Sequence, residues 1–230
     1  MTSASFAPAR VALAAGLVSF LGILTLVVVG TSVIAGPPVS GSLDPAAIRA
    51  YYDHPALAWV LVAQFLLLFP TLLFAVNLRE VLSGTPRGRM WATVALVAMA
   101  AEATLLASEV ALQGAFVAAA AQGEVPLAMF RFWDLLYNSG GDAIEIAWIA
   151  GFSLAAAGVA GFPRWLPAYG AATAGLLAVT VFGVLLGIPA QVHLLLYLPA
   201  IGWWPIALLS LRRHAAAPSQ APRPAASTGG

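Results

Sequence analysis

The stretch ALAWVLVAQFLLLFPTLLFAVNL, residues 56–78, contains no charged residue and decides the class of fold. The hydrocarbon core of a bilayer is about 30 Å thick, and a helix needs about 20 consecutive apolar residues to cross it. Residues 56–78 meet that length. The stretch therefore predicts a transmembrane helix.

Composition extends this prediction to the whole chain. Of its 230 residues, 61% are hydrophobic and 8% are charged, whereas an ordinary soluble domain has about 25% charged residues. A surface so poor in charge cannot stay dissolved in water, so most of it is expected to face lipid. The lipid bilayer is thus the first expected partner.

Five further apolar runs extend the pattern of residues 56–78. The chain is predicted to be an all-α, polytopic membrane protein, a bundle of six helices, because backbone groups in lipid must pair within each span. The third run stays apolar to Ala121, so this helix is expected to tilt or to project beyond the membrane. A signal peptide is a poor alternative for the first run, because its apolar region is only about 7–15 residues long. The predicted spans are 11–35, 56–78, 90–115, 143–162, 166–187 and 190–211.

The arginines predict the orientation of the bundle. All 10 cationic residues are arginines, and cytoplasmic loops carry an excess of positive charge. Both termini are therefore predicted to be cytoplasmic. With six spans, one side of the membrane receives Arg10, Arg79, Arg87, Arg89, Arg164, Arg212, Arg213 and Arg223, and the other side receives Arg49 and Arg131.

The chain is expected to have one folded domain. Residues 1–213 would form the transmembrane domain, and residues 214–230, which are rich in Pro, Ala and Ser, would form a disordered cytoplasmic tail. The use of Arg in place of Lys, together with much Ala, Gly and Pro, is typical of a GC-rich bacterial genome. The predicted location is therefore the inner membrane of a bacterium.

Several classes of function are excluded by what the sequence lacks. The net charge is +1 and no basic cluster occurs, so no nucleic-acid partner is expected. Without cysteine, the chain has no disulfide, thiolate metal site or cysteine nucleophile. Phosphate-binding, dinucleotide-binding and nucleophile-elbow motifs are also missing. The sequence thus identifies no catalytic residue and no cofactor.

Polar residues gather in FRFWDLLYNSGGDAIEIAW, residues 130–148. Gly140 and Gly141 are expected to break this segment. An interfacial helix at about residues 126–138 would precede the break, because aromatic rings favour the membrane interface, and a span would follow it. Wound as a helix at about 100° per residue, the segment places on one stripe Arg131, Asp134, Asn138, Asp142 and Glu145.

Two interpretations remain open for Asp142 and Glu145. Asp142 would suit the first position of a helix as an N-cap, with Glu145 three residues later as in a capping box. Alternatively, both carboxylates belong to a polar site inside the bundle.

Glu102, Glu109 and Gln113 lie on one face of the third span, because their spacings are seven and four. A charge at the bilayer midplane costs roughly 2.5–3.5 kcal/mol on insertion scales, and no arginine lies at the predicted depth of Glu102. We therefore expect Glu102 to be protonated much of the time. It is either a neutral acid that holds helices together or a proton or substrate site.

The polar groups of several spans together predict one outward-opening cavity. Gln64 lies in the second span, and Gln191 and His193 open the sixth. Carboxylates and a histidine can bind metals, but His193 has no second histidine at ligand spacing, so no metal is assigned. The candidate cavity residues are Glu102, Glu109, Gln113, Asp134, Asn138, Asp142, Glu145, Gln64 and His193.

Residues 134–166 resemble a known family. Asp142 opens a span, Gly151 falls in its middle, and the turn GFPRWL precedes another Gly-rich span. This pattern resembles a family of small bacterial six-span membrane proteins that is catalogued only as a domain of unknown function (DUF4386-like). The resemblance covers residues 8–213.

The likeness to this family depends on two further features. Pro163–Arg164 matches a Pro-Arg pair in the family's turn, and Glu102 matches a glutamate in its third span. The turn is slightly shorter here than in the family. The resemblance implies a six-span fold and its topology, and it implies no activity.

Three functions are compatible with these features. The first is a transporter or permease-like protein that moves a small molecule or a proton through a titratable cavity built on Glu102, Glu109 and Glu145. The second is a membrane enzyme for a lipid-like or isoprenoid substrate that uses the outer carboxylates and His193. The third is a non-catalytic interaction or stress protein whose polar groups only join helices.

Overall fold

The long apolar runs of the sequence form long helices. The computed structural model describes residues 6–32, 44–124, 127–186 and 190–216, and within these ranges all regular structure is helical. A π-helical turn, Leu136–Gly141, joins two of the helices. The α-helices are α1 (Phe6–Ser32), α2 (Pro45–Tyr52), α3 (Leu57–Leu82), α4 (Pro86–Ala121), α5 (Leu127–Leu135), α6 (Asp142–Ala155), α7 (Leu166–Leu186) and α8 (Ala190–Ala216).

The all-α class is confirmed. In the described part of the chain, five helices are long and apolar enough to cross a membrane, namely α1, α3, α4, α7 and α8. Large apolar side chains cover the outside of the bundle, with Trp59 76% exposed and Phe69 73% exposed. Such a surface fits lipid far better than water.

The fourth predicted span differs most from the structure. Its helix, α6, ends at Ala155 instead of residue 162 and has 14 residues. The turn that follows contains Gly158 at φ 79° and Gly161 at φ 90°, a left-handed backbone that ends a helix. At its other end, α6 is preceded directly by the π-helical turn. The predicted interruption of the helix at Gly140 and Gly141 is therefore not found.

A short helix within the long connection after α1 was not predicted. The side chain of Asp44 accepts a hydrogen bond from the backbone N–H of Ala46, and Pro45 opens the helix α2. Both are favourable at a helix start. The buried side chains of α2 are Ile48 and Tyr52, which hold it against the bundle.

The ends of the other predicted elements shift by a few residues. Helix α8 continues to Ala216, so residues 214–216 are helical and the predicted tail begins later. Three predicted elements extend beyond the described residues. These parts are residues 33–35 of the first span, residue 187 of the fifth span and residue 126 of the interfacial helix. Residues 217–230 of the predicted tail also lie outside them.

Six helices close into a ring. Neighbours in the ring are α1 and α3, α3 and α4, α4 and α6, α6 and α7, α7 and α8, and finally α8 and α1. Although α6 is short, it packs on both of its neighbours as extensively as the long helices do. It is therefore an integral member of the bundle, whereas α2 and α5 contact the ring helices less extensively.

Antiparallel packing brings the arginine-bearing helix ends together. A Cβ on Gly88, at the start of α4, would lie 3.5 Å from the Ala155 carbonyl oxygen at the end of α6. The His214 Nδ1 atom lies 2.7 Å from the Ala160 carbonyl oxygen in the turn between α6 and α7. We call this the arginine-rich end, and it carries Arg79, Arg87, Arg89, Arg164, Arg212 and Arg213.

Two hydrophobic clusters lie towards opposite ends of the bundle. The tryptophan cluster, nearer the arginine-rich end, includes Phe74, Trp148, Phe152, Trp203 and Trp204. The Tyr52 cluster, at the far end, includes Tyr52, Leu57, Phe116, Phe130 and Trp133. On α4, Met99 belongs to the first cluster and Phe116 to the second. The segment between these two residues carries the carboxylates of α4.

Candidate functional site

Four carboxyl groups meet between the two hydrophobic clusters. Glu102 and Glu109 come from α4, and Asp142 and Glu145 come from the start of α6. Glu102 lies within electrostatic range of Glu109 and Asp142, and Glu145 lies within range of Glu102 and Asp142. We call these four residues the carboxyl cluster. Three of them are almost fully buried. The exposed fraction is 2% for Glu109, 6% for Asp142 and 5% for Glu145.

The closest link between α4 and α6 in this region is a hydrogen bond. The indole Nε1–H of Trp148 donates to Oε2 of Glu102. Trp148 is itself held in the tryptophan cluster, where its ring centroid lies 5.1 Å from that of Trp203. Since the indole is fixed by packing, it fixes the position of the Glu102 carboxyl.

The two carboxyl groups of α6 each bind a hydroxyl from another helix. The hydroxyl of Thr180 on α7 lies 2.7 Å from Oδ2 of Asp142 and donates to it. The phenol of Tyr197 on α8 donates to Glu145. The hydrogen bonds of the carboxyl cluster therefore link α4 to α6, and α6 to both α7 and α8.

These contacts argue against the capping interpretation of Asp142 and Glu145. The residue before α6, Gly141, already has helical dihedral angles, φ −59° and ψ −55°, and no side chain caps the backbone there. An N-cap needs a non-helical backbone at the start of the helix. The two carboxyl groups instead point between helices and join α6 to α7 and α8.

Within the described residues, neither Glu102 nor Glu109 forms an ion pair. The ion pair in this part of the chain joins Arg79 to the adjacent Glu80 at the arginine-rich end. Over the same ranges, no group of three or more His, Asp or Glu side chains is arranged to hold a metal ion. Desolvation disfavours the charged form of a buried carboxyl group, so each of these groups is a candidate proton site.

Two buried side-chain oxygens on α3 and α4 lack a hydrogen-bond partner within the described part of the chain. Oε1 of Glu109 and Oε1 of Gln64, on α3, are both buried in this way. A buried acceptor without a donor costs about 1–3 kcal/mol, so such an atom points to a donor supplied from elsewhere. Gln113 is also buried, 6% exposed, on the same face of α4.

Asp134 lies away from the carboxyl cluster. It interacts with Tyr52 in the Tyr52 cluster, where the pKa of Tyr52 is raised by burial first and by Tyr51 and Asp134 next. The residues predicted to line one cavity therefore lie in two regions, with Asp134 beside the Tyr52 cluster and the four carboxyl groups in the carboxyl cluster. The side chains of Asn138, Gln191 and His193 lie outside the described residues, and so do their contacts.

Three residues that contact the carboxyl cluster were not identified from the sequence. Trp148 lies three residues after Glu145 on α6, a spacing that brings it to the same side of the helix. Its position was therefore a usable signal. Thr180 and Tyr197 are isolated polar residues in apolar spans, and only the packing of α7 and α8 places them beside α6.

Two apolar grooves open on the outside of the bundle. One lies between α3 and α4, has a volume of about 300 Å³ and includes Gly114. The other lies between α1 and α3, has a volume of about 580 Å³ and includes Gly22 and Pro70. Neither groove is lined by a member of the carboxyl cluster, so the outward-opening polar cavity remains a prediction.

Comparison of the chain with family models, with curated proteins and with solved structures gives no match. The resemblance to the six-span family therefore stays a prediction. What the chain does must be inferred from its own residues, and the feature with the strongest chemical meaning is the carboxyl cluster.

Proposed function

We propose that the protein is a proton-coupled transporter of small molecules. The carboxyl cluster is the observation that carries this proposal, because four acidic groups meet inside the bundle, and within the described residues neither Glu102 nor Glu109 forms an ion pair. Ionisable residues inside membrane helices are costly, and they commonly mark proton relays and substrate pathways.

The proposal includes six membrane crossings, with both termini in the cytoplasm. Five helices have the required length and apolarity, and α6 closes the ring between α4 and α7. The π-helical turn and α5 extend the helical segment of α6 without interruption from residue 127 to residue 155. At about 1.5 Å per residue, such a segment is long enough to cross.

The depth of the carboxyl cluster supports a role in proton movement. At about 1.5 Å per residue, Glu145 lies about 15 Å along α6 from the arginine-rich end. This is half of a hydrocarbon core about 30 Å thick. The two hydrophobic clusters lie on either side of the carboxyl cluster, so a proton bound there would be occluded, as in the intermediate of an alternating-access mechanism.

Reconstituted vesicles test the transport proposal. Purified protein is placed in liposomes that contain a pH-sensitive dye, and a membrane potential is imposed with and without a low-molecular-weight cell extract as the source of solutes. We expect proton flux above that of protein-free vesicles in at least one of the two conditions. Equal flux in protein-containing and protein-free vesicles under both would contradict the proposal.

Cysteine labelling tests the six crossings. The chain has no cysteine, so Glu124→Cys and Ala157→Cys each introduce a single thiol at an exposed position on either side of the segment 127–155. We expect a membrane-impermeant maleimide to label residue 124 in intact cells, and residue 157 only after the cells are opened. Labelling of both positions from the same side would show that α6 does not cross.

A structural role for the carboxyl cluster is the second candidate. It is favoured by the hydrogen bonds of Glu102, Asp142 and Glu145 to neighbouring side chains, since a neutral acid can join helices in a membrane. A non-catalytic interaction or stress protein needs no more than this. The two candidates differ in whether a proton must leave the site. The variant Glu102→Gln distinguishes them.

A further inference from the structure

The exposed charges are segregated between the two ends of the bundle. Five of the six arginines at the arginine-rich end are exposed. Within the described part of the chain, the acidic residue at this end is Glu80, which is paired with Arg79. The exposed charged residues at the far end include two arginines and three acids, namely Arg49, Arg131, Asp44, Asp53 and Glu124. The net charge of +1 therefore conceals a strongly basic surface at one end of the protein.

A lipid-facing stripe of α4 ends in one of the exposed arginines. Met90, Val94 and Val97 are exposed, and their spacings of four and three place them on one face of the helix. Arg87 precedes Met90 by three residues, so it continues the same face, and it is also exposed. A lipid whose acyl chain lies along this stripe therefore has its headgroup at the level of Arg87.

The end of α8 repeats this arrangement. Ile206, which is partly exposed, and Leu209, which is exposed, lie on one face of the helix, and exposed Arg213 continues that face one turn later. Trp165, directly before α7, is also exposed at this end, and indole rings favour the membrane interface. The arginine-rich end therefore lies at the depth of the lipid headgroups.

The chemistry of the guanidinium group decides which headgroups fit. Its planar N–H donors match the oxygens of a phosphate, which they can bind in pairs. Every phospholipid carries a phosphate, but a zwitterionic headgroup also carries a cation, which a basic surface repels. An anionic headgroup has no such cation. Each basic side chain near an anionic lipid surface strengthens the attraction by about fivefold in affinity.

We propose that the arginine-rich end is an interaction surface for anionic phospholipids, which it selects over zwitterionic ones through Arg87 and Arg213. The acyl chains lie against the apolar stripes of α4 and α8, and the guanidinium groups bind the headgroup phosphates. The carboxyl cluster takes no part in this surface, so lipid selection goes beyond the proposed transport function and does not depend on it.

Competition between two lipids tests this selection directly. Delipidated full-length protein in detergent is mixed with equal amounts of phosphatidylglycerol and phosphatidylcholine that carry the same acyl chains, and native mass spectrometry counts the bound lipids. We expect bound phosphatidylglycerol to exceed bound phosphatidylcholine about fivefold or more. Equal binding of the two lipids would overturn the proposal.

Two double variants with the same change in net charge locate the surface. Arg87→Gln with Arg213→Gln is expected to lower the preference for phosphatidylglycerol about fivefold or more. Arg49→Gln with Arg131→Gln removes two charges at the far end and is expected to retain the wild-type preference. Because all four side chains are exposed, both variants are expected to fold, which circular dichroism checks. An equal effect of the two double variants would refute a role of the arginine-rich end.

The unfolding temperature in detergent micelles gives a second readout that needs no variant. Phosphatidylglycerol is expected to raise it more than phosphatidylcholine does at low salt, and the difference is expected to shrink at high salt, because exposed charges are screened. Glycerol phosphate, which supplies the headgroup without acyl chains, is expected to have no effect. A rise with glycerol phosphate equal to that with phosphatidylglycerol would identify a site for free phosphate esters and would overturn the lipid assignment.

Discussion

Glu102→Gln is expected to reduce proton flux through reconstituted vesicles to the level of protein-free vesicles while the protein stays folded. Glutamine has nearly the volume of glutamic acid, and its Oε1 still accepts the hydrogen bond from Trp148. It cannot take up or release a proton. The flux assay therefore separates a proton-carrying role from a structural one, in which the variant would behave like the wild type.

The fluorescence of Trp148 gives an independent readout of the same substitution. Ionisation of Glu102 places a negative charge at the indole N–H, which is expected to change the tryptophan emission as the pH rises. The change should be present in the wild type and absent in Glu102→Gln and in Trp148→Phe. Glu124→Gln, the exposed control, should retain both the emission change and the proton flux. Wild-type behaviour of Glu102→Gln in both assays would refute a proton-carrying role of this residue.

Gly151→Leu is expected to lower the stability of the folded protein markedly. A Cβ at Gly151 would lie 2.9 Å from the Ala95 Cβ and 3.0 Å from the carbonyl oxygen of Trp91. Both belong to α4, and backbone cannot move aside as a flexible side chain can. Overpacking of this kind costs about 1–3 kcal/mol and occasionally more, so we expect a loss of about 3 kcal/mol.

Unfolding in mixed micelles of dodecyl maltoside and SDS, followed by circular dichroism, measures this loss. Gly175→Leu is the matched control, because a Cβ at Gly175 meets nothing within 4 Å. It should be as stable as the wild type or slightly more stable, since leucine is the better helix former. Equal stability of the two variants would show that α4 and α6 do not pack as closely as the structure indicates.

The site was only partly predictable from the sequence. The spacing of Glu102 and Glu109 placed both on one face of α4, because helical periodicity is a local property of the chain. The prediction of a break at Gly140 and Gly141 was wrong, because packing of the surrounding helices keeps the segment helical through a π-helical turn. Local glycine preferences are weak enough to be overridden in this way.

The sequence by itself determined that the chain is helical and apolar enough for a membrane, and roughly where its long helices lie. These properties follow from hydropathy and length, which need no knowledge of neighbours. Tertiary structure alone decided that α6 closes the ring, that Asp142 accepts a hydrogen bond from Thr180, and that Trp148 reaches Glu102. These contacts depend on the rotation and depth of each helix, which are set by close approaches between helices such as that of Gly151 to Ala95.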